Sequence, residues 1–180
     1  MEMNQSVIDL EGLACHKGSA FGSLGMPEQP SQEMFENLLA IELWSSVANS
    51  TDIWLEDESR HIGKSHIPNI IWEKMRVSPL YFIDIPFPKR LDYIVQEYGI
   101  YDRENLKSSV RKIEKRLGGL NTKNALQFID ENNVKAAFEI LLKYYDKLYQ
   151  KSLEKHLENG IELHKISSLD VDKSNAALLL

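Results

Sequence analysis

Short apolar runs alternate with longer helical stretches along the chain, and this alternation is the feature that most limits the possible folds. Runs rich in β-branched, aromatic or leucine residues stand at positions 7–10, 53–55 and 80–85, and a weaker run stands at 161–166. Strands separated by helices usually pair in parallel, because each helix carries the chain back to the starting edge of the sheet. The sequence therefore predicts an α/β fold with a parallel sheet and helices on both faces.

Helical periodicity dominates the second half of the chain. Asp102 is a good N-cap for a helix over 103–117, in which apolar residues recur at 106, 110, 113 and 117, and Gly118 should end it. The longest helix is expected over 134–157. In the first half, Ser31 is expected to cap another helix. No linker or repeat interrupts the 180 residues, so we predict one domain over 1–180.

Composition narrows the class of protein. Cys15 is the single cysteine, which excludes an internal disulfide and favours a reducing compartment. The apolar runs are short and broken by charge, and no basic segment followed by an apolar one stands at the start. We therefore predict a cytoplasmic protein without membrane association. The net charge of −6 disfavours nucleic-acid binding over the whole surface but permits a local basic face.

Acidic residues follow the first two predicted strands. Asp9 and Glu11 close the first, and a run of polar residues closes the second: Glu56, Asp57, Glu58, Ser59 and Arg60. Parallel sheets bind ligands at the carboxyl ends of their strands, so both groups should lie at the edge of a site. Adjacent carboxylates raise one another's pKa and attract cations such as Mg²⁺. The alternative is an acidic loop neutralised by Arg60 and His61.

Two glycine-containing segments invite a phosphate-binding interpretation. Gly63, Lys64 and Ser65 resemble the end of a phosphate-binding loop, but Glu58 stands where that loop needs its first glycine, so we expect a turn. The loop at 16–25 has three glycines, and its polar residues could donate hydrogen bonds to a diphosphate: His16, Lys17 and Ser19. Its spacing matches no dinucleotide fingerprint, which leaves an ordinary surface loop as the alternative.

A cluster of cations lies on the predicted helix over 103–117. Helical spacing places them opposite the apolar stripe: Lys107, Arg111, Lys112, Lys115 and Arg116. Such a face in an acidic protein suits contact with a phosphate or an RNA backbone. A solvated helix surface is the alternative interpretation.

Seven short motifs, in this order, carry a family resemblance. They are DLEGLA at 9–14, HKGSAFG at 16–22, QPSQ at 29–32, FENL at 35–38, WLEDESR at 54–60, RKIEKRLGG at 111–119 and YYD at 144–146. Together they resemble the carboxyl-terminal domain of bacterial tRNA 2-selenouridine synthases, across nearly the whole chain.

The resemblance implies a fold like that of the phosphate-loop nucleotide kinases and a transferase that modifies tRNA. Enzymes of this family geranylate the wobble 2-thiouridine from geranyl diphosphate and then exchange the geranylthio group for selenium from selenophosphate. They pair a rhodanese-like domain, which carries an essential cysteine, with the phosphate-loop domain. The implied partners are tRNA, the two phosphorylated substrates and Mg²⁺ as a candidate ion, with no cofactor held by this chain.

The chain departs from the family pattern in three ways. It has no rhodanese-like domain, so Cys15 is not expected to replace that cysteine. The resemblance starts after the family's first strand, phosphate loop and first helix, so we expect an incomplete domain that is inactive by itself. Lys17 stands where an arginine is expected. A split subunit served by a separate chain, a frame-disrupted remnant and a wrongly assigned start all remain open, and so does whether this chain is an enzyme.

The resemblance also suggests roles for the polar residues. The 56–60 segment would line a pocket for diphosphate or selenophosphate, with His16, Lys17 and Ser19 as donors. Arg111, Lys112, Lys115 and Arg116 would contact tRNA or a substrate phosphate. Catalytic residues stay unassigned and no metal ligands are assigned. The alternative is a non-catalytic tRNA-binding or assembly module that uses the basic helix, and a free-standing small-molecule kinase is disfavoured.

Overall fold

The computed structural model describes residues 5–47 and 52–179. Its contacts divide the chain into two compact units, Met1–Val77 and Ser78–Leu180. The expectation of one domain over 1–180 stays a prediction. No helix in the described ranges is long and apolar enough to cross a membrane.

The described residues of the first unit form two short sheets and three helices. Strands β1 and β2 pair in parallel with Val7 opposite Trp54, and β3 and β4 form an antiparallel hairpin. The elements in chain order are β1 (Ser6–Ile8), α1 (Leu10–Ala14), α2 (Gln32–Val47), β2 (Ile53–Leu55), β3 (His61–Ile62), β4 (Ser65–His66) and α3 (Asn69–Met75).

One apolar face of α2 anchors the core of this unit. The predicted cap is confirmed, because the Met34 backbone N–H donates to Ser31 Oγ at 3.2 Å. Phe35 and Leu39 lie one turn apart on α2 and are fully buried. The buried cluster that they join is Ile8, Leu10, Ala14, Phe35, Leu39, Ile62 and Ile67.

The second unit is mostly helical and holds one strand pair. Strands β5 and β6 are parallel, with Leu80 opposite Leu163. The elements in chain order are β5 (Leu80–Asp84), α4 (Phe87–Tyr98), α5 (Arg103–Lys112), α6 (Glu114–Leu117), α7 (Gly119–Asp130), α8 (Val134–Glu158), β6 (Leu163–Ser167) and a final 3₁₀ helix (Lys173–Leu179).

An arginine between α4 and α8 ties the second unit together. Arg90 Nη1 and Nη2 bind the two Asp146 carboxylate oxygens at 2.6 and 3.1 Å, and Arg90 Nε donates to the Ile85 carbonyl oxygen at 2.9 Å. A two-pronged pair of this kind fixes the orientation of both side chains. The acidic residue of the YYD motif therefore has a structural partner.

Two fold predictions are corrected by the structure. The α/β class is confirmed, but the described strands form three two-stranded sheets rather than one parallel sheet, because each strand pairs only within its own unit. The helix predicted over 103–117 is two helices, broken at Ile113, whose φ of −107° and ψ of 4° are not helical. The break lies where two members of the apolar stripe, Val110 and Ile113, are three positions apart, and both side chains remain buried.

Candidate functional site

The acidic ends of β1 and β2 meet, as predicted. The two strands are parallel, so the residues that follow them emerge at the same edge. Glu56, directly after β2, accepts a hydrogen bond at its Oε2 from the Leu10 backbone N–H at 2.9 Å. Leu10 is the first residue of α1, so this carboxylate caps a backbone donor that the helix leaves without an internal partner.

Glu11 and Glu58 share a proton at this edge. Burial is the main cause that raises the pKa of Glu11 to about 8, together with the charges of Glu58, Glu56 and Asp9 and the hydrogen bond between Glu11 and Glu58. Burial also raises the pKa of Glu58, although the hydrogen bond from Glu11 acts in the opposite direction. Glu11 is therefore protonated near neutral pH and donates to Glu58, which reduces the negative charge of this edge.

This shared proton predicts that the chain loses stability as the pH rises. The folded pKa of Glu11, about 8, lies above the ordinary value of 4.5. The stability contributed by the bound proton is complete below that ordinary value and is lost as the pH rises through the folded value. We expect the melting temperature to fall by a few degrees between about pH 6 and about pH 9.

Two glutamine variants separate this effect from general titration. Glu11→Gln keeps a neutral side chain that can donate to Glu58, so most of the fall should disappear. Glu33→Gln, at an exposed position in the first turn of α2, is the matched control and should melt like the wild-type chain. A fall of equal size in Glu11→Gln would contradict the shared proton.

The loop at 16–25 folds around two of the chain's own side chains. Gly18 has a φ of +65°, and a Cβ added there would lie 2.6 Å from both carboxylate oxygens of Glu58. A Cβ added at Gly22 would lie 2.8 Å from the His16 ring. Glu58 and His16 therefore fill the space beside Gly18 and Gly22 in which a diphosphate was a predicted ligand.

Short backbone bonds close this loop. The Lys17 N–H donates to the Gly22 carbonyl oxygen and the Gly22 N–H to the Ser19 carbonyl oxygen, both at 2.9 Å. The Ser19 hydroxyl oxygen accepts from the Phe21 N–H at 3.1 Å. Ser19 still has its own hydroxyl proton to donate, because only its acceptor side is used in that bond.

The remaining members of the 56–60 segment have separate contacts. Asp57 forms an ion pair with Arg76 of the helix α3 cap, so a cation outside the segment neutralises it. The Ser59 hydroxyl donates to the His61 carbonyl oxygen at 2.6 Å. Arg60 is exposed. Sequence reasoning missed Arg76 because its pairing depends on how the chain returns after the hairpin, and no local pattern signals that.

Mg²⁺ does not fit this edge. Among residues 5–47 and 52–179, no three His, Cys, Asp or Glu side chains are arranged to hold a metal ion. Within these ranges the edge therefore presents no set of three such ligands to Mg²⁺.

The second candidate site is a group of four cations that we call the basic quartet: Arg111, Lys112, Lys115 and Arg116. All four are exposed, on the side of α5 and α6 opposite the buried apolar stripe. Two lie in the last turn of α5 and two in α6. Cations near a helix carboxyl end also interact favourably with the helix dipole, which is the plain structural explanation for them.

Charge pairing separates the basic quartet from several other cations of the second unit. Within the described part of the chain, none of the four forms an ion pair. Several other cations of the unit, though not all of them, are paired at 2.5–2.8 Å: Lys89 with Asp170, Arg90 with Asp146, Lys107 with Glu104 and Asp130, Lys135 with Asp92, Lys143 with Glu139, and Lys165 with Asp84. The basic quartet is therefore available to an anionic partner.

Comparisons with known proteins point to one family. A family model described as "tRNA 2-selenouridine synthase AAA domain" matches residues 1–170. A tRNA 2-selenouridine synthase of Cupriavidus pinatubonensis is 42% identical over 94 residues, which cover 52% of this chain and 25% of that protein. Proteins of the same name from Nitrosomonas europaea and Nitrosomonas eutropha are each 31% identical over 85% of this chain and 51% of their own length. The chain thus spans about half or less of these relatives, and no solved structure gives a significant match.

Proposed function

The chain belongs to the tRNA 2-selenouridine synthase AAA domain family, and from that premise we propose that it is the part of a tRNA-modifying enzyme that holds RNA and a phosphorylated substrate. The observation that carries the proposal is the family match over residues 1–170. The relatives that cover most of this chain are named tRNA 2-selenouridine synthase. Because we propose a tRNA substrate, we also propose that the protein acts in the cytoplasm.

The proposed reaction belongs to the whole enzyme rather than to these 180 residues. The sulfur of the wobble 2-thiouridine bonds to the geranyl group while diphosphate leaves. The selenium of selenophosphate then displaces the geranylthio group, which leaves as geranylthiol, and hydrolysis of the Se–P bond releases phosphate. No G-x-x-x-x-G-K-[ST] motif is present in the 180 residues. Positioning of phosphates is most of such chemistry, so we propose that a polypeptide with the rhodanese-like domain and the phosphate loop completes the site.

In this proposal the edge of β1 and β2 contributes to the phosphate pocket. Lys17, Ser19 and Arg60 would donate to phosphate oxygens, with His16 beside them. The shared proton of Glu11 and Glu58 supports this assignment, because a fully ionised edge would repel an anion. Perturbed carboxylates of this kind are more common at functional sites than elsewhere.

The rival proposal is a non-catalytic tRNA-binding or assembly module. Its supporting observation is the basic quartet, which needs no phosphate pocket to bind an RNA backbone. The two proposals differ in whether the β1–β2 edge ever contacts a substrate. An enzyme reconstituted with the completing polypeptide should lose activity when Arg60 is replaced by alanine, whereas the module should keep its tRNA affinity.

Binding measurements on the isolated chain test the proposal. We expect fluorescence anisotropy to show binding of a tRNA transcript at low salt. Isothermal titration should show no tight binding of geranyl diphosphate or ATP, because the 180 residues lack the G-x-x-x-x-G-K-[ST] motif whose backbone N–H groups cradle phosphates. Micromolar affinity for either small ligand would contradict the need for a completing polypeptide. Absence of tRNA binding at low salt would contradict both proposals.

A further inference from the structure

One side-chain amide joins two segments of the candidate site. Gln29 Nε2 donates to the Ala14 carbonyl oxygen at 3.0 Å and to the Ile62 carbonyl oxygen at 3.0 Å. Gln29 Oε1 accepts from the Lys64 backbone N–H at 2.9 Å. Both donors of the amide are therefore used, and they connect the end of α1 to the turn of the β3–β4 hairpin.

The turn is shaped to receive this amide. Gly63 lies between the two hairpin residues that bind Gln29, and its φ of +62° is a left-handed conformation that glycine adopts without strain. A side chain at this position would also collide with Gln29 Oε1. The glycine of the apparent Gly63-Lys64-Ser65 phosphate motif therefore serves the contact with Gln29.

Hydrogen bonds attach the 56–64 segment to both ends of α1. At the start of α1, Glu56 accepts from the Leu10 N–H, and at its end Gln29 links Ala14 to the hairpin. The base of the hairpin is closed by a bond from the Ile67 N–H to the Arg60 carbonyl oxygen at 2.9 Å. Glu58 lies between these two attachments, and Glu11 lies on the helix that they span.

A second glutamine grips the same hairpin without touching α1. Gln32 Oε1 accepts from the His66 N–H and Gln32 Nε2 donates to the His66 carbonyl oxygen, both at 2.8 Å. Gln32 Nε2 also lies 2.7 Å from the Glu36 carboxylate. Gln32 therefore makes as many hydrogen bonds as Gln29, but only Gln29 reaches the helix that carries Glu11.

We propose that Gln29 is a positioning residue that holds the 56–64 segment along α1 and so brings Glu58 against Glu11 at the candidate phosphate pocket. The importance of this geometry rests on the proposed function, because that proposal makes the edge a substrate site. The test of the inference does not rest on the proposed function, because it measures the Glu11–Glu58 contact in the isolated chain. A failure of tRNA binding and a failure of this inference are therefore separate results.

Carbon-13 NMR of the glutamate carboxyl groups tests the inference. Glu11→Gln identifies the Glu11 resonance, which should titrate near the raised pKa of about 8 in the wild-type chain. Gln29→Met keeps the side-chain length and removes all three bonds, so the Glu11 midpoint should fall by about one pH unit or more. Gln32→Met also removes three bonds, two of them to the same hairpin, and should leave the midpoint at the wild-type value.

Two results would overturn the inference. One is an unchanged Glu11 midpoint in a folded Gln29→Met chain, which would make Gln29 a stabiliser of the loop and nothing more. The other is available in the wild-type chain and needs no variant to fold. Because the Lys64 N–H is bound by Gln29, it should be protected from hydrogen exchange. Exchange of the Lys64 N–H at the rate of an unstructured peptide would exclude the contact with Gln29 on which the inference depends.

Discussion

Replacing the basic quartet with glutamine should lower the affinity of the chain for tRNA about a hundredfold at low salt. Each lysine or arginine that neutralises a phosphate releases condensed counterions, so four lost contacts should reduce the salt slope by roughly three units. The side chains concerned are exposed and without ion pairs in the described part of the chain, which makes all of them available. Anisotropy titrations at several salt concentrations between about 50 and 200 mM measure both quantities.

A charge-matched variant is the control for this prediction. Four paired lysines of the same unit, replaced together by glutamine, change the net charge equally: Lys89, Lys135, Lys143 and Lys165. Exposed ion pairs contribute little to folding, so this variant should remain folded. Equal losses in the two variants would mean that net charge alone attracts tRNA. An unchanged salt slope in the quartet variant would mean that the basic quartet does not contact tRNA and is an ordinary solvated surface.

Phe35→Ala should remove about 3–5 kcal/mol from the free energy of unfolding of the first unit. Phe35 is completely buried and belongs to the cluster that joins α2 to β1, α1 and the hairpin. A loss of that size is a large share of the roughly 5–15 kcal/mol available to an ordinary domain. Met34→Ala, one residue earlier on the exposed side of α2, is the matched control and should cost less than about 0.5 kcal/mol.

Intrinsic fluorescence can follow the two units separately in this experiment. The three tryptophans lie in the first unit, at positions 44, 54 and 72, and the seven tyrosines lie in the second. A shift of the tryptophan transition alone would show that the units unfold independently. A common shift of both transitions would support the prediction of one cooperative domain. A tryptophan transition unchanged by Phe35→Ala would contradict the burial on which the prediction depends.

Elements with a local signal were predictable from the sequence. Ser31 and Asp102 cap helices as predicted, and the longest helix was predicted over 134–157 and runs over Val134–Glu158. The first strand ends earlier than predicted, at Ile8, because Asp9 caps α1 by accepting from the Gly12 N–H at 2.6 Å. The apolar periodicity does not predict the break at Ile113, since the apolar stripe fits one helix and two helices equally well.

The sequence predicts only the part of the candidate site that follows from the parallel pairing of two strands. The pairing of β1 with β2 brings Glu11 and Glu56 to one edge, which follows from the general position of sites at strand ends. The placement of Glu58 over Gly18, and of Asp57 beside Arg76, depends on the path of the hairpin. That path is set by contacts such as those of Gln29, which lie more than thirty positions away in the sequence from the hairpin turn.

The pairing of β5 with β6 also sets the order in which the second unit can assemble. Leu80 pairs with Leu163, and the five helices α4 to α8 lie between the two strands. Contacts this distant in sequence carry a loop-closure cost before they stabilise anything, so the helices should pack first and the strands should pair last. Because synthesis proceeds from the amino terminus, β5 must wait with an open edge until residues 163–167 leave the ribosome. A chain shortened before Leu163 should therefore keep its helices and expose β5 to pairing with other molecules.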